Sequence, residues 1–229
     1  MIGTLGLVAS ARRRVAAVVT PKVALRSAPV SSDYSVPSAT KSVNVSVVAG
    51  DLIVVCAAAE DSTCVLQTPS APGNVFTVRQ SVSPASNSPV AIWTAVAAAT
   101  DASLPVSVSI TGYTPAHFGF TVFVFSSHGA LGASGQGSGT GTPSVAVTTT
   151  GANSMLVTVS ADWSQNTGAR AWSAVNVPAT EDVYATVAGI YTVYVAHYTD
   201  TGAAGVKTPG LTSPAGQTYT IVSLEILGM

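Results

Sequence analysis

Apolar and polar residues alternate along several short stretches of this chain. Val43, Val45 and Val47 alternate with Asn44 and Ser46. Val106, Val108 and Ile110 alternate with Ser107 and Ser109, and Val222, Leu224 and Ile226 alternate with Ser223 and Glu225. A period of two places one set of side chains on each face of a β-strand, here with one face in a core and the other outside. Three further stretches, 52–59, 90–99 and 118–125, are almost continuously apolar. They predict strands that are central or covered on both faces. Pro and Gly punctuate the runs at Pro69, Pro72-Gly73, Pro84, Pro89, Pro115, Pro178, Pro209-Gly210 and Pro214, where turns are expected. Helical periodicity with caps is missing, apart from a turn or two near the N-terminus. The pattern predicts an all-β, antiparallel sandwich of about ten to twelve short strands.

The strand pattern occurs twice. Ser42–Asp61 and Ser144–Asp162 each read as an alternating strand, a tight turn and a continuous apolar strand. Ile92-Trp93-Thr94 is matched by Ile190-Tyr191-Thr192, and Phe120-Thr121-Val122 by Tyr219-Thr220-Ile221, at offsets of 98 to 102 residues. An internal duplication follows, with halves at about 38–128 and 144–229. The Gly-rich stretch 129–143 between them is expected to be a flexible connector. Two stacked small sandwiches would satisfy the repeat. A single jelly-roll-like domain is the preferred expectation, because each half alone leaves several strand edges unprotected.

Charge divides the chain differently. Of its 229 residues only 8 % are charged. Arg12, Arg13, Arg14, Lys22 and Arg26 all precede the first acid, Asp33, and the remainder holds four bases against ten acids. This suggests a basic N-terminal arm, residues 1–37, ahead of a nearly uncharged body, 38–229. Such an arm could contact phosphates of nucleic acid or lipid, pack against an acidic groove of a partner subunit, or be solvated. Its five charges are interleaved with Val and Ala, which favours protein anchoring through those five residues over nucleic acid. Apolar residues precede the arginines, the reverse of a secretory signal, so no signal peptide is expected. No apolar run approaches the roughly 18 residues of a membrane span.

Candidate chemistry is sparse. Gly135–Gly141 lacks the following helix that a phosphate loop requires. His117, His128 and His197 have no zinc-pair spacing, and Cys56 and Cys64 are not a C-x-x-C pair. The two cysteines read as small core residues, although a hairpin headed by Glu60-Asp61 would bring them opposite one another. Glu60, Asp61, Asp162, Glu181 and Asp182 fall at strand ends and turns, where acids serve as turn residues. No catalytic set, metal site or cofactor is expected. Trp163 and Trp172 flank the loop 164–170. They pack in a core or hinge, or they stack on a sugar or a protein neighbour.

The segments Gly50-Asp51-Leu52-Ile53-Val54-Val55, Pro72-Gly73, Val90–Thr100, Phe123-Val124-Phe125 leading to Gly129-Ala130, Thr142–Thr150 and Asn153–Val157 together resemble a module of bacteriophage tail and virion surface proteins, also found in secreted bacterial proteins. The resemblance spans about 38–228, with Asn74-Val75-Phe76 standing where that module has a tryptophan. It implies a jelly-roll-type sandwich for assembly or adhesion and carries no catalytic residues. The expectation is a virion structural protein, first a minor tail protein made in the host cytoplasm. Its arm would dock on other virion proteins and its sandwich would face outward toward the host surface, with Trp163 and Trp172 as candidate glycan contacts. A homo-oligomer is expected, a trimer being common among tail appendages. A capsid decoration protein and a non-catalytic carbohydrate-binding module are the alternatives.

Overall fold

The structure, a computed structural model, describes residues 22–84 and 87–229. Among them every regular element is a strand. The first half contributes β1 (Ala24–Leu25), β2 (Val30–Ser31), β3 (Pro37–Ser38), β4 (Thr40–Val47), β5 (Leu52–Ala59), β6 (Val65–Leu66), β7 (Thr77–Val82), β8 (Val90–Val96), β9 (Asp101–Thr111) and β10 (Ala116–Ser126). The second contributes β11 (His128–Gly141), β12 (Val147–Thr149), β13 (Met155–Asp162), β14 (Ala171–Trp172), β15 (Thr180–Val187), β16 (Tyr191–Tyr198), β17 (Gly205–Lys207), β18 (Leu211–Ser213) and β19 (Gln217–Gly228). All pairings are antiparallel.

The strand order β10-β5-β8-β7 in the first half is matched by β19-β13-β16-β15 in the second. Each of these large sheets has a small partner sheet on its outer side: β4-β9-β6 in the first half, and the pairs β12-β17 and β14-β18 in the second. Alternate residues decide what goes where. Ile53, Val55 and Ala57 of β5 join Val106 and Val108 of β9 in an outer core. Leu52, Val54, Cys56 and Ala58 point the other way and meet Met155, Val157, Val159, Val193 and Val222 of the second large sheet. A further outer core holds Val145, Val147, Leu156, Tyr198 and Ile221.

The result is four layers, with the two large sheets face to face in the middle. The antiparallel all-β sandwich expected from the sequence is present, with a further layer on each outer side. The reason lies in strands such as β5 and β13, which are apolar on both faces and buried throughout. One sandwich would leave half of those side chains in water, at about 1.5–3 kcal/mol for each large one.

The ladders also fix how the halves correspond. Gly50 and Asn153 both take positive φ in the turn before the central strand. Leu52 pairs with Phe125 as Met155 pairs with Ile226. Ile53 pairs with Ala95, and Leu156 with Tyr198. Trp93 thus corresponds to Ala196, and the match of Ile92–Thr94 with Ile190–Thr192 is out of register by several residues.

Two segments read as linkers from sequence are parts of the sheets. Residues 129–143, expected as a flexible connector, lie mostly in β11, which pairs with β19 along the second large sheet. The same flank of the first large sheet, the free side of β10, is covered by β1, β2 and β3. Residues 24–38, mostly assigned to the arm, therefore hold in the first half the position that β11 holds in the second. Tyr34 of this segment is buried in the central core. Its ring lies over Gly119, where a Cβ would come within 2.5 Å of it. Its hydroxyl shares a 3.1 Å hydrogen bond with Thr121 Oγ1, and its carbonyl accepts from Tyr191 Oη at 2.6 Å. Cys56 and Cys64 are free and lie in different cores, Cys56 in the central one and Cys64 in the first outer one.

Candidate surface-contact cleft and the root of the N-terminal segment

β5 and β13 end side by side at one pole of the stack. The residues that follow them, Glu60-Asp61 and Trp163-Ser164, line one cleft of about 420 Å³. The β9–β10 turn supplies Tyr113, the start of β10 supplies His117, and the β15–β16 turn closes it with Gly189 and Ile190. The cleft therefore lies between the two sandwiches and takes residues from both.

Each lining group is held by its own element. Burial would leave Glu60 costly as an unpaired ion. The Nδ1–H of His117 donates to its Oε2 at 2.6 Å, and the Glu60 N–H donates to the His117 carbonyl at 2.9 Å. Asp61 folds its own turn, with Oδ1 accepting from the Thr63 N–H at 2.7 Å and from Thr63 Oγ1 at 2.5 Å. The Tyr113 turn approaches this one closely. Gly112 has φ +83°, and a Cβ there would stand 2.0 Å from the Thr63 carbonyl, so only glycine fits. The Cys64 thiol, its pKa pushed up to about 11 by burial, donates to the Tyr113 carbonyl at 3.6 Å.

Trp163 is set by a matching device. Asp162 Oδ1 accepts from the N–H and hydroxyl of Ser164, both at 3.0 Å. The Ser164 carbonyl accepts from Thr192 Oγ1 at 3.0 Å. Burial raises the Asp162 pKa, opposed by the Ser164 hydrogen bonds. Trp163 stays 49 % exposed, and Tyr113 53 %.

Trp172 is not in this cleft. It packs against the second outer core, and its Nε1–H donates to Glu181 Oε2 at 2.9 Å. Glu181 also holds Arg170 through Nε and Nη2 at 2.8 to 2.9 Å, and Arg170 stacks over Tyr184. Asp182 accepts from His197 Nδ1 at 2.8 Å. The acids singled out from sequence are thus spread over several local networks. Among the described residues no group of three or more His, Cys, Asp and Glu side chains could hold a metal ion. Nor is any helix there long and apolar enough to cross a membrane.

The five basic residues proposed for anchoring divide. Arg12, Arg13 and Arg14 lie outside the described residues. Arg26 forms a forked pair with Asp51, Nη2 to Oδ1 at 2.6 Å and Nε to Oδ2, while Asp51 Oδ2 also accepts the Val48 N–H. Lys22 reaches Asp200 at 3.4 Å. Both contacts lie at the pole where β5 and β13 begin, since β1 pairs with the last residues of β10 and these pair with Leu52. Sequence reasoning singled out Trp163, but its pairing of Asp61 with Asp162 is out of register by two residues, since the ladders align Asp61 with Ser164, although each acid closes a turn onto the residue two positions on. It missed Tyr113 and the Glu60–His117 pair, whose members, one just after β5 and one at the start of β10, are more than fifty residues apart and have no local signature.

Comparison with family models, with curated proteins and with solved structures gave no match.

Proposed function

We propose that this chain is a non-catalytic virion structural protein, in first place a minor tail protein, that is tethered at one pole and presents the other. The observation that carries the reading is the polarity of the stack. The N-terminal segment enters the fold at the pole marked by Lys22–Asp200 and Arg26–Asp51. The cleft with the exposed Trp163 and Tyr113 lies at the opposite end of β5. Eight strand residues separate the two poles, or roughly 25 Å. In this reading Arg12, Arg13 and Arg14, which lie outside the described residues, contact other virion proteins, and the cleft is displayed. The low charge and the Ser/Thr/Gly-rich surface fit repeated packing against neighbours.

Removing residues 1–21 tests this in particles assembled with the truncated chain. Incorporation should be lost, while the purified body keeps its melting temperature to within about 2 °C. Normal incorporation would overturn the tether. A longer cut, to residue 32, confounds the test, because it removes β1, β2 and the Arg26–Asp51 pair from the body.

A further inference from the structure

We infer that the cleft between the sandwiches is a binding site for a neutral saccharide chain; the inference rests on the reading that this pole is the displayed one. Among the described residues Tyr113 and Trp163 are the only exposed large aromatics. The other large rings are buried or half-buried. Both exposed rings line the same cleft although they come from different sandwiches. A fold that covers its aromatics elsewhere leaves two uncovered at one place.

The polar groups between them match the edge of a sugar ring. Pyranoses present apolar C–H faces, which stack on aromatic rings, and hydroxyl edges, which require directional partners. Glu60 is only 8 % exposed. Its Oε2 is taken by His117, and among the described residues Oε1 has no hydrogen-bond partner. That leaves one lone-pair-rich atom, fixed in position, on a side chain that lines the cleft. Asp61 engages Thr63 through Oδ1, leaving Oδ2 for a second hydroxyl. Such carboxylates accept from neighbouring hydroxyls without rearranging, because their turns are already closed by internal hydrogen bonds.

Charge narrows the ligand further. Neither Lys nor Arg lines the cleft, and two carboxylates do. A sialylated, sulfated or phosphorylated glycan would meet like charge there. An uncharged chain would not.

The test uses the full-length protein in solution. Titration calorimetry and tryptophan fluorescence would be followed with chitohexaose, cellohexaose, maltohexaose and mannohexaose, with heparin as the anionic control. At least one neutral hexaose should bind with a Kd below about 1 mM, with heparin silent. Trp163→Ala and Tyr113→Ala should each weaken that binding at least tenfold, with unchanged melting temperature, and Trp163→Phe should retain most of it. The proposal is overturned if none of the four binds up to about 10 mM. Binding that survives both alanine variants, or a preference for heparin, overturns it as well. Particle incorporation is scored separately with the same variants, which should all assemble normally. A failed cleft and a failed tether therefore give different results.

Discussion

Glu225 is a fully buried carboxylate, yet its pKa lies below the usual value. Burial alone would raise it. The opposing effect is a cage of donors: the N–H groups of Ala133, Thr150 and Gly151 and the hydroxyls of Thr150 and Ser154, at 2.7 to 3.1 Å. These pin the start of β11 and the β12–β13 turn to β19. Replacing Glu225 by Gln should cost about 2 kcal/mol or more at neutral pH in urea unfolding, because several buried donors lose a charged acceptor. A depressed folded pKa means that the stabilisation is complete above the unfolded value of 4.5 and is lost as pH falls below it. Wild-type stability should therefore decline on acidification below pH 4.5 more steeply than that of Glu225→Gln. At the cleft, Gly112→Ala combines an unfavourable φ with a clash against the Thr63 carbonyl. It should destabilise the chain by about 1–3 kcal/mol and displace the Tyr113 turn, visible as an altered Tyr113 environment by NMR. Neither residue is conspicuous in sequence. Glu225 reads there only as the polar half of an alternating strand.

At the level of elements, the sequence was most legible where apolar periodicity was cleanest. Val43/Val45/Val47 and Val106/Val108/Ile110 fall in β4 and β9, which face one core from the outside. The continuous runs fall in β5, β8 and β10; those of β5 and β10 are covered on both sides as expected, while the 90–99 run is covered only to Ala95 and leaves Val96, Ala98 and Ala99 exposed. What stayed hidden was the flank of each large sheet. β11 carries six glycines and no apolar alternation, because it packs its backbone closely and offers few side chains to a core. In the first half the same flank is covered by three two-residue strands separated by bends, too short for any periodicity. The largest side chain this segment buries is Tyr34, over Gly119, beside Val23, Leu25 and Val30. Tyr34→Ala should cost about 3–5 kcal/mol. Gly119→Ala should cause a loss in the same direction by pushing the ring out, and both are measurable by chemical denaturation.

For the whole molecule, the central core joins the two sandwiches through Val54, Ile92, Phe123, Val157, Val193 and Val222. Neither sandwich can separate without exposing it. Calorimetry should show a single transition with equal calorimetric and van't Hoff enthalpies. Residues 128–229 expressed alone should be insoluble or self-associated, since one face of β13, β16 and β19 would be left uncovered. Apolarity on both faces of the central strands was legible in the sequence, but not the identity of the covering layer, because a repeat fits one shared sandwich or two stacked ones equally well until register is known. That rigid stack has a consequence for many copies at once. Where chains are held by their N-terminal segments on a common base, the roughly 25 Å between poles puts every cleft at the same height with the same outlook. A glycan-bearing surface would then meet an array. Avidity rises by factors of about 10²–10⁴ when linked sites engage together, so each cleft can bind weakly and release quickly while the array holds.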